Sequence, residues 1–169
     1  ALAWKIKEES FLKNVKVLSE LKLRLGWGIT GQQDFGRDYP AQAVYTISSS
    51  DAYYLINGIW QPTLRPEAYD PGIRWEKTTT QNIGLDFGFL NGRIKGAVDL
   101  YKRVTDDLLN LVTIPTGSNF SDKLFTNVGS LENKGIEASL NVIPVSTKDL
   151  SLEIGANLTY NQNEITRLL

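Results

Sequence analysis

The sequence predicts an all-β fold of antiparallel, up-and-down β-hairpins. Three observations carry that expectation: apolar and polar residues alternate with period two in six stretches, an Asn-Gly dipeptide sits between two of them, and the connections alternate between short and long. Successive side chains of an extended strand point to opposite faces, so such alternation marks a sheet with one apolar and one polar face.

A first strand near residues 1–7 places Leu2, Trp4 and Ile6 on one face. The following EESFLKNVKVLSE carries Phe11, Val15 and Leu18 at helical spacing and predicts a helix of one or two turns. A strand near 20–30 alternates Leu21, Leu23, Leu25, Trp27 and Ile29 with Lys22, Arg24, Gly26, Gly28 and Thr30. After a long loop, 31–77, come strands near 78–90 and 93–105, joined at Asn91-Gly92. Asn-Gly suits a type I′ turn, whose two central residues both need positive φ. Pairing Leu90 with Arg93 sets Leu85 opposite Val98 and Ile83 opposite Leu100, while Gly84, Asn82 and Thr80 oppose Asp99, Tyr101 and Arg103 on the polar face. A one-residue slip would mix the two faces. Asp86-Phe87-Gly88 therefore lies mid-strand and is no kinase-type metal loop, for which the Gly-rich loop, the HRD motif and any His are missing.

A second long loop covers 106–127, and strands near 128–143 and 150–162 flank the short PVSTKD link. Ile136, Ala138, Leu140 and Val142 share a face in the first of these, and Leu150, Leu152, Ile154, Ala156, Leu158 and Tyr160 in the second. Glu137, Ser139, Asn141, Glu153, Asn157 and Thr159 occupy the opposite faces.

Short turns at one end, long loops at the other and strands of about ten residues are the pattern of an outer-membrane barrel, whose apolar face meets lipid and whose polar face lines the lumen. A soluble β-sandwich for carbohydrate binding or adhesion alternates in the same way, but buries its apolar face on a second sheet. On the barrel reading, six strands leave two open edges that lipid does not tolerate, so the chain is an arc of a large transmembrane β-barrel with long extracellular loops. The missing initiator Met, and a start inside a patterned segment, point the same way.

Composition narrows the chemistry. The 169 residues include no His and no Cys, which removes the Ser-His-Asp triad, the thiol nucleophile and the thiolate zinc site. A net charge of -1 with interspersed signs offers no footprint for nucleic acid. No run approaches the roughly 18 apolar residues of a membrane helix, and ALAWKIKEES lacks the features of a signal peptide. The acidic pairs Asp34 with Asp38 and Asp106 with Asp107 lack the spacing and Gly of a calcium loop, so no metal and no cofactor is expected. The sequons at Asn119 and Asn157 carry little weight, the second lying within a strand.

Several stretches resemble the SusC/RagA family of TonB-dependent outer-membrane transporters of Bacteroidetes. They are AWKIKEESF at 3–11, LKLRLGWGITGQQ at 21–33, residues 74–109 beginning RWEKTTTQNIGLDFG, and residues 126–166 beginning TNVGSLENKGIEASLNV. The likeness fades between 34 and 73, and Trp27 and Gln33 stand where the family usually has Tyr and Asn. The resemblance implies one partial barrel domain over 1–169, without plug domain or TonB box, and no enzymatic activity. It further implies location in the outer membrane and import of oligosaccharides or peptides, with a SusD-like surface lipoprotein as lid and the TonB-ExbB-ExbD complex as energy source.

Two sets of candidate contact residues follow. The loop 31–77 holds Phe35, Tyr39, Tyr45, Tyr53, Tyr54, Trp60, Tyr69 and Trp75, whose rings can stack on sugars or pack the loop on itself. Tyr53, Tyr54 and Trp60 are the expected substrate or lid contacts. Arg24, Asp99, Tyr101 and Arg103 are the expected lumen-facing set, meeting plug or substrate or simply hydrating the wall.

Overall fold

The computed structural model describes residues 1–32, 36, 39–48 and 52–168. Gln33, Phe35 and the acidic pair Asp34 and Asp38 lie outside them. The chain forms two compact units: residues 1–30, 78–105 and 130–167 build one, and residues 31–77 and 106–129 the core of the other.

The first unit holds the larger part of a six-stranded sheet. Its strands are β1 (Leu2–Lys5), β2 (Leu18–Gly31), β7 (Lys77–Phe89), β8 (Ile94–Thr113), β9 (Lys123–Ser146) and β10 (Ser151–Leu168), in the spatial order β1-β2-β7-β8-β9-β10. Every strand lies beside its neighbour in sequence, except that the segment between β2 and β7 is given over to the second unit. The sheet is antiparallel, and β1 pairs with β2 so that Leu2 faces Leu25 and Trp4 faces Leu23.

The hairpin of β7 and β8 keeps the register that Asn91-Gly92 dictates. Thr78 and Thr105 share a hydroxyl hydrogen bond of 2.9 Å at its far end, which is where pairing Leu90 with Arg93 places them. The turn itself is wider than two residues: Leu90, Asn91 and Gly92 all have positive φ, and Gly92 N–H and Arg93 N–H donate to Phe89 O and Leu90 O. Leu90 is held there by its own N–H, which donates to Val17 O at 2.9 Å.

The connection from β1 to β2 departs from the expected helix. Its one helical piece is a 3-10 turn at Ile6–Glu8, and Leu18 already belongs to β2. One further turn follows, Lys13 N–H donating to Glu9 O at 2.8 Å and Val15 N–H to Leu12 O at 3.0 Å, and Lys7 Nζ caps its end by donating to Leu12 O at 3.0 Å and Lys13 O at 2.9 Å. β8 and β9 also run further than the alternation suggested, because backbone pairing continues after the apolar pattern stops. Ile114 N–H donating to Asp122 O closes the connection.

The apolar face of the sheet has no cover. Ile83 is 51% exposed, Leu85 37% and Leu158 70%, and Ala68, still 7% exposed, is the one apolar side chain among the described residues that is buried. A sandwich would bury these positions against a second sheet, so that alternative falls.

The second unit contains two small sheets where the sequence suggested only loop. β3 (Tyr45–Ile47) pairs with β6 (Leu64–Pro66), and β4 (Tyr53–Ile56) with β5 (Ile59–Pro62). Asn57 and Gly58, both with positive φ, turn the β4–β5 hairpin in the manner of Asn-Gly in β7–β8.

Candidate functional site

On the polar face of the sheet, alternation on neighbouring strands brings ions of opposite sign together. Arg24 of β2 forks onto Asp86 of β7, Nε donating at 2.9 and 3.0 Å and Nη2 at 2.8 Å. The same Nη2 donates to Asp99 Oδ2 of β8 at 3.0 Å, and Lys22 Nζ lies 3.4 Å from Asp86 Oδ2. The reach from β2 to β8 is possible because the residue between them is Gly84. A Cβ at that position would lie 2.5 Å from Asp99 Oδ1 and 2.7 Å from Arg24 Cζ. The planar guanidinium satisfies two carboxylates at once, which a lysine could not do with the same geometry.

Tyr101 and Arg103 follow Asp99 along β8 on the same face. The Tyr101 ring covers Gly135 of β9, where a Cβ would meet its hydroxyl at 2.7 Å. Arg103 opens on a shallow cavity of about 630 Å³ lined with Thr30, Thr80, Asn133 and Asn163. Of the four expected polar-face residues, the structure thus joins Arg24 and Asp99 directly and sets Tyr101 and Arg103 further along the strand. Asp86 is the member that sequence reasoning undervalued. Its signal was the alternation, which puts it on the face of Arg24.

In the second unit, Tyr53, Tyr54 and Trp60 belong to the β4–β5 hairpin. Tyr53 faces Pro62, Tyr54 faces Gln61 and Leu55 faces Trp60, so Tyr53 and Trp60 share one face and Tyr54 takes the other. All three are open to solvent, Trp60 at 65%. A separate cleft of about 710 Å³ in this unit is lined by Tyr39, Gln42, Thr46, Arg65, Glu67 and Lys123. Of the loop's other aromatic residues, Tyr69 stacks on Phe120 with ring centroids 6.3 Å apart. Asn127 of β9 ties the segment before β7 to β8: its amide donates to Arg74 O and Asp107 O and accepts from Arg74 N–H, at 2.7–2.8 Å.

A two-faced, open-edged sheet of this kind is what a barrel wall contributes, and the family model for the TonB dependent receptor-like β-barrel matches residues 2–167. The chain belongs to this family. SusC of Bacteroides thetaiotaomicron, a TonB-dependent receptor, is 55% identical over 99% of the chain, and a TonB-dependent receptor of Formosa agariphila is 39% identical over the same share. Among solved structures, the RagAB peptide transporter superposes with a TM-score of 0.81 at 32% identity over 98% of the chain. The chain spans 17%, 16% and 17% of the lengths of these three proteins. The family is one of transporters and receptors, and the SusC and RagA homologues are outer-membrane proteins.

Proposed function

We propose that this chain is a wall segment of a TonB-dependent transporter that imports oligosaccharides or peptides across the outer membrane. The observation that carries the reading is the uncovered apolar face of the six-stranded sheet, opposite a polar face of half-buried ion pairs. Lipid covers the first and a hydrated or plugged lumen meets the second. The short turns at Asn91-Gly92 and Thr147 then face the periplasm, and the connections 31–77 and 106–127 face outside. The similarity to a peptide transporter favours peptides, and the open aromatic hairpin β4–β5 suits either peptides or sugars. A SusD-like lipoprotein is the lid and the TonB-ExbB-ExbD complex the energy source, acting through the remainder of the full-length protein.

The test uses the organism that carries the gene. An antibody to this segment should detect a heat-modifiable outer-membrane band on the order of 100 kDa, as a barrel with a plug requires. Deletion of the gene should abolish TonB-dependent uptake of either a labelled oligosaccharide or a labelled oligopeptide. A soluble antigen, or full uptake of both substrate classes by the deletion strain, would overturn the reading.

A further inference from the structure

We propose that the cleft walled by β3, β6 and the start of β9, within the second unit, is a binding subsite for a neutral oligosaccharide. The inference rests on the transporter reading and, at this cleft, narrows its two substrate classes to one.

Strand register supplies the first argument. Thr46 pairs with Arg65, and Glu67 N–H donates to Val44 O at 2.9 Å. Alternation along both strands therefore turns the side chains of Val44, Thr46, Arg65 and Glu67 to one face of the β3–β6 ribbon. All four line the cleft, whose volume is about 710 Å³. Leu111, Asp122, Lys123 and Phe125 contribute further lining from the second long connection and the start of β9.

Hydrogen-bonding capacity supplies the second. Thr46 Oγ1 donates to Glu67 Oε1 at 2.7 Å, and Arg65 Nε lies 3.5 Å from the same oxygen. Glu67 Oε2 and both Nη groups of Arg65 have no partner among the described residues. A guanidinium donor beside a carboxylate acceptor matches neighbouring hydroxyls, each of which both donates and accepts. Asp122 and Lys123 repeat this pairing of acceptor and donor elsewhere in the lining.

Charge supplies the third. Two cations, Arg65 and Lys123, and two carboxylates, Glu67 and Asp122, leave the lining without net charge. A charged ligand meets as many like charges here as opposite ones, whereas a neutral polyhydroxyl ligand uses all four groups. Val44, Ala68, Leu111 and Phe125 form the apolar part of the lining, which suits the C–H faces of sugar rings.

An extended peptide is the poorer fit. Such a ligand is held by the backbone groups of a free strand edge, and those around the cleft are already engaged. Glu67 N–H donates to Val44 O, Ile114 N–H to Asp122 O, and Lys123 N–H to Ser121 Oγ at 3.3 Å. The cleft offers side chains in their place.

The test uses the full-length transporter in detergent and a labelled panel of neutral gluco-, manno- and galacto-oligosaccharides, with uronate counterparts and a mixed oligopeptide library alongside. Neutral members should bind, with an affinity that changes by less than about twofold as salt is raised, because the ligand carries no charge to screen. Arg65→Ala and Asp122→Ala should each weaken binding about tenfold, as expected for the loss of a hydrogen bond to a charged group. Arg65→Lys keeps the charge but not the planar fork, and should weaken it as well. The Arg65 side chain is 66% exposed, and heat-modifiable migration reports that each variant folds. Three results overturn the proposal: no neutral oligosaccharide binds, the Arg65→Ala/Asp122→Ala variant binds as the wild type does, or the same variant abolishes binding of uronates or peptides instead. In each case the transporter reading survives if deletion of the gene abolishes uptake of either substrate class, and falls with the proposal if it does not.

Discussion

Arg24 and Asp99 meet across a position of β7 that contributes no side chain, the guanidinium Nη2 donating to the carboxylate at 3.0 Å above Gly84. Small residues elsewhere in the sheet make comparable room, but what they make room for differs. At Gly84 the atoms nearest a new Cβ are the ends of flexible side chains, whereas at Gly135 one of them is the backbone carbonyl of Tyr160, at 2.5 Å.

That difference grades the effect of adding a methyl group. Gly84→Ala should displace the ion pair and cost about 1 kcal/mol, Gly135→Ala should force strands apart and cost about 2 to 3 kcal/mol, and Gly155→Ala, whose nearest contact is at 4.0 Å, should be close to neutral. Thermal or urea unfolding of the full-length barrel, followed by heat-modifiable migration, gives the order. A larger loss at Gly155 than at Gly135 would contradict the register.

The two carboxylates of Arg24 should not be equivalent. Asp86 accepts three hydrogen bonds from Arg24 and faces Lys22 as well, while Asp99 accepts one. Double-mutant cycles should therefore give a coupling of about 1 kcal/mol for Arg24 with Asp86 and less for Arg24 with Asp99, both reduced by solvent because the groups are 21–31% exposed. Coupling that is stronger to Asp99 would reverse the assignment.

Much of this was legible in advance because period two is a simple geometric consequence of the extended chain. It placed Arg24 and Asp99 on one face and Ile83 and Leu100 on the other, and Asn91-Gly92 set their partners. What alternation could not show was distance across strands: that Gly84 leaves a gap, or that Arg24 spans it to reach Asp99, depends on three strands at once. The β4–β5 hairpin was missed for another reason. Its residues Tyr53 to Ile56 are apolar on both faces, so no alternation marks them as a strand. The helical spacing of Phe11, Val15 and Leu18 misled because Leu18 already belongs to β2, where strand pairing takes over from the turns before it.

Depth along the apolar face is measurable. Leu85 sits one row inside that of Ile83 and Leu100, Trp27 one row outside it. Leu85→Arg should cost about 2 to 4 kcal/mol in the membrane and still permit a folded barrel, while Trp27→Arg should cost roughly 0 to 1 kcal/mol. Folding of the full-length variants into lipid vesicles checks this. Equal costs would mean that Leu85 and Trp27 meet the same surroundings.

The shared face of Tyr53 and Trp60 leads to the last prediction. A partner or substrate lying on one side of the β4–β5 hairpin meets both of these rings and not Tyr54. Truncating a central aromatic contact costs on the order of 2 kcal/mol or more, so Trp60→Ala, and Tyr53→Ala with it, should reduce either substrate uptake or retention of the lid lipoprotein by more than about tenfold. Tyr54→Ala should have the smaller effect, because its ring points to the other side. The full-length transporter supports both readings in parallel: labelled-substrate uptake in cells, and co-purification of the lid from solubilised membranes. Loss confined to uptake assigns the face to substrate, and loss of co-purification assigns it to the lid. If both measurements stay at the wild-type level in the Tyr53→Ala/Trp60→Ala variant, the hairpin contacts neither and its rings serve only the packing of the loop.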